Sequence, residues 1–234
     1  MKEKVVLIDG CRTPFLRAGT GFMDVMSYEL GQMAIQGLLA KTGIDKNLID
    51  SVILGTVISN LKTSNVAREA ALTAGIPNTT PCHTVTQACI SANRAIASAI
   101  GEISTGHSEI VIAGGVDCSS DTPIGYKKKM RNKLFKSQKI KTMGDQLKFI
   151  TSLRIRDFLP ETPSITEFTT GKTMGQDCDV LAAKHGVTRK EQDLFAINSH
   201  DLAQKAWDDG HLSNEVTPVQ VPPRFKYIHK DNGI

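Results

Sequence analysis

Short apolar runs alternate with segments of helical period as far as Ala113. The four strand candidates are residues 4–9, Val52–Val57, His83–Thr86 and Ile110–Ala113. Runs of this length that are rich in Val and Ile are typical of strands buried on both faces. Because helical segments separate them, the order predicts an α/β fold with a mostly parallel sheet covered by helices.

Three helices are predicted between these strands. The first has apolar residues at helical spacing and ends at Gly43, and the second is capped by Asn65 and runs from Val66 towards Thr73. The third carries one apolar stripe, made of Ala92, Ala95, Ile96, Ala99, Ile100 and Ile103. A stripe of this kind is the side by which a helix packs on a sheet.

The texture of the sequence changes near Asp121, where strand-like runs become scarce. We therefore predict an α/β domain over residues 1–120 and a different, partial domain over 121–234. Within the second part, helices are expected over 173–210, one at Met174–His185 and one opened by the capping box that begins at Thr188. No internal repeat is present.

A strongly basic segment lies just after this boundary. Residues 127–156 carry eleven Lys and Arg and a single acid, Asp145, so that the segment is about +10 within a chain of net charge +4. Apolar residues interleave with the lysines, which is typical of a basic amphipathic element that contacts an anionic membrane surface or a partner subunit. A solvated, charged face is the alternative.

Among five cysteines, Cys89 alone lies where a predicted strand passes into a predicted helix. At a helix N-terminus the free backbone N–H groups favour a thiolate and can hold an oxyanion, so Cys89 is the candidate nucleophile. The cysteines form no C-x-x-C pair and the six histidines show no metal spacing, so we expect neither disulfides nor a metal. Gly114-Gly115 marks either a tight turn or a close backbone approach.

Several ordered motifs resemble one family, the thiolases. They are Cys11-Arg12-Thr13-Pro14-Phe15, Thr63-Ser64-Asn65-Val66-Ala67-Arg68, His83 through Asn93, Ala113-Gly114-Gly115-Val116, Thr173-Met174-Gly175 and Lys230-Asp231-Asn232-Gly233. Within the family, the likeness is greatest to the 3-ketoacyl-CoA thiolases that form the β subunit of fatty-acid-oxidation complexes. The resemblance covers essentially the whole chain and implies the layered α/β/α thiolase N-terminal domain with part of an inserted helical loop domain, the C-terminal thiolase domain being absent.

The resemblance also implies a chemistry. Cys89 would accept the acyl group of a 3-ketoacyl-CoA, with CoA and acyl-CoA as substrates and no cofactor. Met174 would lie near the pantetheine, and Arg224 near the CoA nucleotide. The histidine and second cysteine that complete a thiolase site come from the C-terminal domain, so this chain by itself is expected to be inactive.

The partners implied are a second copy in a homodimer, an α-type subunit of a β-oxidation complex and a membrane surface touched by residues 127–156, with no nucleic acid. Since the opening residues show no leader-like pattern, we expect a cytoplasmic location. Two alternatives stay open: a biosynthetic acetoacetyl-CoA thiolase, and a non-catalytic CoA-binding or scaffold half-fold.

Overall fold

A three-stranded parallel sheet forms the centre of the fold in the computed structural model, which describes residues 4–233. Its strands are β1 (Ser51–Gly55), β2 (Cys82–Val85) and β3 (Val111–Gly115), in the order β2-β1-β3. The central strand is fixed in register on both sides, since Ile53 lies opposite His83 and opposite Ala113. All three strands coincide with predicted runs, and the predicted parallel sheet is confirmed.

Helices cover both faces of this sheet. They are α1 (Ser27–Thr42), α2 (Val66–Ala74) and α3 (Ser91–Ser104). Side chains of a strand alternate between faces, so Val52 and Leu54 join one apolar cluster with α1 and α2, while Ile53 joins Ala95 and Ala99 of α3 on the other face. The result is the predicted α/β/α layering, with β1 buried along its whole length.

The helix ends follow their sequence signals. The side chain of Asn65 accepts a hydrogen bond from the backbone N–H of Arg68 at 3.2 Å, as an N-cap does. Gly43 and Gly75 end α1 and α2 with φ angles of 67° and 90°, in the left-handed region where glycine has no steric penalty. Both predicted helices are therefore confirmed within a residue or two.

The prediction of a buried strand over residues 4–9 is wrong. This segment has no regular secondary structure, and Val6, Leu7 and Ile8 are each more than 70% exposed. A strand is stabilised by hydrogen bonds to a neighbouring strand, and among the described residues none lies beside this run. Apolar composition alone did not secure burial.

The apolar stripe of α3 is buried only in part. Ala95 and Ala99 lie against the sheet, whereas Ile96 and Ile100 are 38% and 45% exposed. The small alanines allow α3 to lie close to the sheet, and each isoleucine follows an alanine by one position, about 100° further round the helix and off the line of contact. The helix itself was correctly predicted.

The chain from Thr122 to Gly186 folds as a separate unit. It contains the helices α4 (Lys128–Ser137), α5 (Met143–Ser152) and α6 (Met174–Lys184), and the two-residue strands β4 (Gly125–Tyr126) and β5 (Pro160–Glu161), which pair antiparallel. Met130, one of the apolar residues that interleave with the lysines of residues 127–156, is buried. None of the helices in residues 4–233 combines the length and apolarity needed to cross a membrane.

From Val187 the chain belongs to the first unit again. This return segment consists of α7 (Arg189–Asp208) and an antiparallel hairpin of β6 (Val219–Val221) and β7 (Lys226–Ile228). The capping box predicted at Thr188 is present, because its hydroxyl accepts from the N–H of Glu191 and the Glu191 carboxylate accepts from the N–H of Thr188. The chain leaves the first unit after Asp121, near the predicted boundary, but residues 187–233 group with that unit. The division into functional domains stays a prediction.

An ion-paired clamp joins the two ends of the first unit. The guanidinium of Arg12 donates to both carboxylate oxygens of Asp231, at 2.8 and 3.0 Å, and through Nε to Glu215 at 2.8 Å. The N–H of Phe15 donates to Asp231 as well, at 2.6 Å. Burial alone would raise the pKa of Asp231, but these hydrogen bonds outweigh it and hold that pKa below its ordinary value.

Candidate active site

Cys89 lies in the loop that joins β2 to α3, and its side chain is exposed to solvent. The strand ends at Val85 and the helix begins at Ser91, so the thiol stands just ahead of the first helical turn. The first backbone N–H groups of a helix have no partner within the helix. The structure therefore puts Cys89 at the position that the sequence predicted, although its catalytic role stays a prediction.

The hydroxyl of Ser91 fixes the shape of this loop. It accepts a hydrogen bond from the N–H of Gln87 at 2.8 Å and donates one to the carbonyl of Ala88 at 2.7 Å. Ser91 is itself only 4% exposed. Between these contacts Ala88 adopts a φ of +47°, a left-handed conformation that costs a residue with a side chain of order 1 kcal/mol. The cysteine is thus presented by a loop held in a strained conformation.

The carboxylate of Asp117 holds the neighbouring loop, which follows β1. Asp117 accepts from the hydroxyl of Thr56 at 2.9 Å and from the N–H groups of Val57 and Ile58 at 2.9 and 2.7 Å. Such a set of donors is typical of a carboxylate that fixes a loop's backbone. Thr56 directly follows β1, and Asp117 lies two residues after the end of β3. The hydrogen bonds of Asp117 therefore join the ends of the two strands.

A polar cavity of about 190 Å³ opens beside the loop that Asp117 holds. Thr56, Asn60, Thr63 and Thr86 contribute to its wall, and the hydroxyl of Thr63 is buried without a hydrogen-bond partner among the described residues. Pockets that hold whole small molecules usually span roughly 300–1,000 Å³. The cavity is therefore too small to be a complete site for a molecule the size of CoA.

The other cysteines differ from Cys89 in their surroundings. The thiols of Cys11, Cys82 and Cys118 each donate to a backbone carbonyl, at 3.2 to 3.3 Å. Burial raises the pKa of Cys82, against the opposing charge of Arg68. Cys178 on α6 is exposed. These contacts agree with structural roles for the first three.

The two predicted CoA contacts lie in different units. Met174 is the first residue of α6 in the inserted unit and is 55% exposed. Arg224 is exposed in the turn between β6 and β7, after the cis peptide bond that joins Pro222 to Pro223, in the unit that also holds Cys89. Their roles stay predictions. No cluster of three or more His, Cys, Asp or Glu side chains suited to a metal occurs within residues 4–233.

Three residues that shape the site were not predicted: Ser91, Asp117 and Gly55. Nothing in the sequence marked the side chain of Ser91 as one that holds a loop. For Gly115, the alternative of a close backbone approach is the one observed, since a Cβ there would lie 2.8 Å from that of Ala92. Gly55 lies inside the predicted strand Val52–Val57, and an isolated glycine within a strand was the available signal of a close backbone approach.

Comparison with known proteins identifies this arrangement. The family model for "Thiolase, N-terminal domain" matches residues 5–234. The human protein named trifunctional enzyme subunit beta, mitochondrial, is 48% identical over 232 residues, which are 99% of this chain and 48% of that protein. A 3-ketoacyl-CoA thiolase of Serratia proteamaculans is 38% identical over 99% of this chain and 53% of its own length.

A solved structure agrees with this result. The crystal structure of the Bacillus anthracis acetyl-CoA acetyltransferase superimposes with a TM-score of 0.76 at 29% identity, over 94% of this chain and 52% of that one. The chain thus spans about half the length of the relatives it matches.

One prediction is corrected by these relatives. The cytoplasmic location is wrong, because the related subunits of rat, human and cow are named as mitochondrial, which points to a mitochondrial location. The pattern of the opening residues, in a chain that spans about half the length of its relatives, does not decide the location. The predicted resemblance and the predicted fold class are confirmed, and by its matched domain, its sheet order and its relatives the chain belongs to the thiolase family.

Proposed function

We propose that the protein containing this chain is a 3-ketoacyl-CoA thiolase of fatty-acid β-oxidation and that Cys89 is its acyl-accepting nucleophile. The observation that carries the proposal is the exposed thiol of Cys89 in a clamped loop before α3. The 48% identity with a trifunctional enzyme β subunit supports the degradative assignment. Because the chain spans about half the length of its relatives, the activity is proposed for a protein of the relatives' full length.

The reaction would proceed in two covalent steps. The Cys89 thiolate attacks the 3-keto carbon, the bond between C2 and C3 breaks, and acetyl-CoA leaves as an enolate that takes up a proton. The acyl group is then a thioester of Cys89. The thiol of a fresh CoA loses its proton, attacks this thioester and releases an acyl-CoA shortened by two carbons, which regenerates Cys89.

This chain would supply part of that machinery. A rigid loop lowers the cost of orienting the nucleophile, and the backbone N–H groups at the start of α3 are donors of the kind that stabilise a developing oxyanion. The proposed contacts of Met174 and Arg224 would add binding to the pantetheine and nucleotide of CoA. The steps that need a histidine and a second cysteine are assigned to the part of the protein beyond this chain.

The partners proposed are a second copy of the protein and an α-type subunit. The α-type partner is inferred from the relative's name, which calls it a subunit of a trifunctional enzyme. Ile96 and Ile100 of α3 leave part of an apolar stripe exposed on the first unit, as expected of a surface that another domain or subunit covers. Sedimentation or light scattering of the full protein, with and without the α-type subunit, measures both associations.

We also propose that residues 127–156 contact an anionic membrane surface. In the inserted unit, Phe135, Leu147 and Ile150 are exposed by more than 60%, among eleven cationic side chains. Each such charge contributes about 1 kcal/mol near an anionic leaflet. Replacing Lys127, Lys128, Lys129 and Lys136 by Gln should release the protein from phosphatidylserine vesicles, whereas replacing Lys184, Lys190, Lys205 and Lys226 should not. Equal retention of both variants would contradict the contact.

The intact mass of the chain and of the full protein after incubation with a long-chain acyl-CoA tests the main proposal. A covalent acyl adduct is expected on the full protein, absent in Cys89→Ala and retained in Cys178→Ala, the matched control at the other exposed cysteine. An adduct that survives Cys89→Ala rejects Cys89 as the acceptor. If the full protein acylates and its shorter fragment does not, the missing half is required for the step.

A second candidate is the biosynthetic acetoacetyl-CoA thiolase. Similarity to the Bacillus anthracis acetyl-CoA acetyltransferase favours it, although at a lower identity of 29%. Rates of CoA-dependent cleavage of acetoacetyl-CoA and of a long-chain 3-ketoacyl-CoA by the full protein separate the two. If the cellular protein proves to be this chain alone and cleaves neither substrate, the alternative of a non-catalytic CoA-binding or scaffold half-fold is supported instead.

A further inference from the structure

Two strands end in glycine directly beneath the first turn of α3. Gly55 is the last residue of β1 and Gly115 the last of β3, and the two are register partners in the sheet. The N–H of Val116 donates to the carbonyl of Gly55 at 2.9 Å, which locks these strand ends together. They form one platform, and the first turn of α3 lies on it.

Neither glycine is required by its backbone conformation, because neither has a positive φ. The requirement is space. A Cβ at Gly55 would lie 2.3 Å from the carbonyl carbon of Ser91 and 2.4 Å from its oxygen, closer than real contacts allow. These are backbone atoms, so no rotamer change could relieve the overlap and the helix start would have to move.

Gly115 meets the same turn at a side chain. A Cβ there would lie 2.8 Å from the Cβ of Ala92 and 3.2 Å from the carbonyl oxygen of Gly55. The neighbouring Gly114 differs, since its Cβ would meet only Leu54 Cδ2, at an ordinary 3.7 Å. Of these two adjacent glycines in β3, only Gly115 is in a position where an added Cβ would overlap with α3.

The first turn is mechanically coupled to Cys89. Ser91 lies on the platform with its backbone, and its hydroxyl holds Gln87 and Ala88, the two residues that precede Cys89. The N–H of Ser91 also donates to the carbonyl of Ala88 at 3.1 Å. A displacement of this turn must therefore move or open the Cys89 loop.

We propose that Gly55 and Gly115 are positioning residues for Cys89. Their lack of side chains lets α3 start in contact with the sheet, and that contact sets where the thiol lies. Neither residue would touch the reacting atoms. The catalytic consequence rests on the proposed thiolase function, whereas the effect on the thiol itself does not.

The test compares Gly115→Ala with the matched control Gly114→Ala and with the double variant Gly115→Ala/Ala92→Gly. The double variant removes the methyl group that the new Cβ would strike. The rate of Cys89 alkylation by iodoacetamide is followed by peptide mass spectrometry, with exposed Cys178 as an internal reference. The unfolding midpoint is followed by fluorescence of Trp207, the single tryptophan.

Gly115→Ala should slow Cys89 alkylation about tenfold, because the displaced first turn of α3 no longer holds the loop in the conformation that presents the exposed thiol. Cys178 should react at the parent rate, Gly114→Ala should match the parent at both cysteines, and Ala92→Gly should restore Cys89 to within about twofold of it. A folded Gly115→Ala protein that labels like the parent overturns the inference. So does a folded double variant without recovery.

If Gly115→Ala does not fold, the double variant decides. Recovery of both the unfolding transition and the parent labelling rate supports the positioning role, and recovery of folding with slow Cys89 labelling contradicts it. Acylation of the full protein is measured in parallel, where a displacement of about 1 Å would cost on the order of 100-fold. Parent protein that alkylates at Cys89 but never acylates would reject the thiolase proposal and leave the positioning result standing.

Discussion

The sheet unit and the inserted unit are stabilised in different ways. Around β1, apolar side chains are buried on both faces, with Val52 and Ile53 fully inaccessible. Within residues 122–186, all of which the structure describes, Met130 is the only buried apolar side chain. Large apolar side chains there, such as Ile155 and Phe168, are at least 90% exposed. One unit has a packed core, and the other has hardly any.

In the inserted unit, the ion pair between Asp157 and Lys133 joins elements that a packed apolar core does not join. Asp157 is 5% exposed and accepts from Nζ of Lys133 at 2.6 Å and from the N–H of Arg154 at 3.0 Å, while Lys133 also donates to the carbonyl of Ser152. This links α4, the end of α5 and the 3₁₀ turn Ile155–Phe158. Buried ion pairs give little net stability but are costly to break, so this unit should be well specified and only weakly stable.

The two units should differ most in the stability lost when one isoleucine in each is replaced by alanine. Ile53→Ala empties a fully buried position, for which losses of about 2–5 kcal/mol in the free energy of unfolding are usual. Ile155→Ala alters a side chain that is 90% exposed and should change the free energy of unfolding by less than about 0.5 kcal/mol. Urea unfolding followed by the fluorescence of Trp207, which lies in the sheet unit, measures the first loss, and hydrogen exchange within residues 122–186 measures the second. Equal losses would mean that Ile155 is covered in solution.

The second-largest loss of stability should follow from breaking the ion-paired clamp of the sheet unit. Asp231→Asn leaves Arg12 without its bidentate partner and should cost about 1.5–3 kcal/mol in urea unfolding at neutral pH. Because the pKa of Asp231 is held below its ordinary value of 3.8, its contribution is complete above that pH and is lost as the pH falls through the lower, folded value. The variant and parent curves should therefore converge in acid. A difference that is independent of pH would contradict this origin.

The helix caps offer the same change in both units. Thr188→Ala and Thr173→Ala each remove a hydroxyl that accepts from a backbone N–H in a capping box, at a typical cost of about 1 kcal/mol. The first should appear in the main unfolding transition, whereas the second should appear as faster hydrogen exchange in α6 alone. Thr188→Ser, which keeps the hydroxyl, is the control. If Thr173→Ala lowers the main transition equally, the two units unfold together.

The smallest effect on the main transition is expected from Asp157→Asn. Hydrogen bonds from Lys133 and from the N–H of Arg154 hold the pKa of Asp157 below 3.8, so the pair stabilises the inserted unit above that pH and is lost as the pH falls through the folded value. Limited proteolysis should cut the variant within 122–186 at neutral pH, and the parent there only in acid. Asp145→Asn is the control, because Asp145 is exposed and its carboxylate lies 3.7 Å from Nζ of Lys148. Matching digestion of the two variants would contradict the role of Asp157.

The same difference explains how far the sequence was predictive. Burial on a defined face enforces a period, and the period could be read for β1, α2 and α3. The inserted unit has hardly any apolar core to enforce such a period. Its helix α6 was predicted, but the burial of Met130 and the pairing of Lys133 with Asp157 had no local signal. The run at residues 4–9 failed for a related reason: its burial depends on a neighbouring strand, which no local pattern specifies.

For the candidate site, the residue type and its place in the fold were predictable, whereas its supports were not. Cys89 stood out because a strand-to-helix junction is visible in the sequence. Ser91 and Asp117 act through hydrogen bonds to backbone groups of loops, and such bonds depend on loop geometry that composition does not encode. Gly55 is required by contact with a helix that begins 36 positions later, at Ser91.

The clamp between Arg12 and Asp231 has a consequence for synthesis of the protein. Its two residues are separated by 219 positions. At about 5–20 residues per second, a ribosome needs on the order of 10–40 s to add the later residue after the earlier one. In the later part of that interval, once Gly115 has been added, the sheet with its three helices can already be assembled, while the Arg12 side chain still lacks its partner. A nascent chain in this state offers a binding opportunity to chaperones, and codon changes that slow translation before Asp231 would lengthen it.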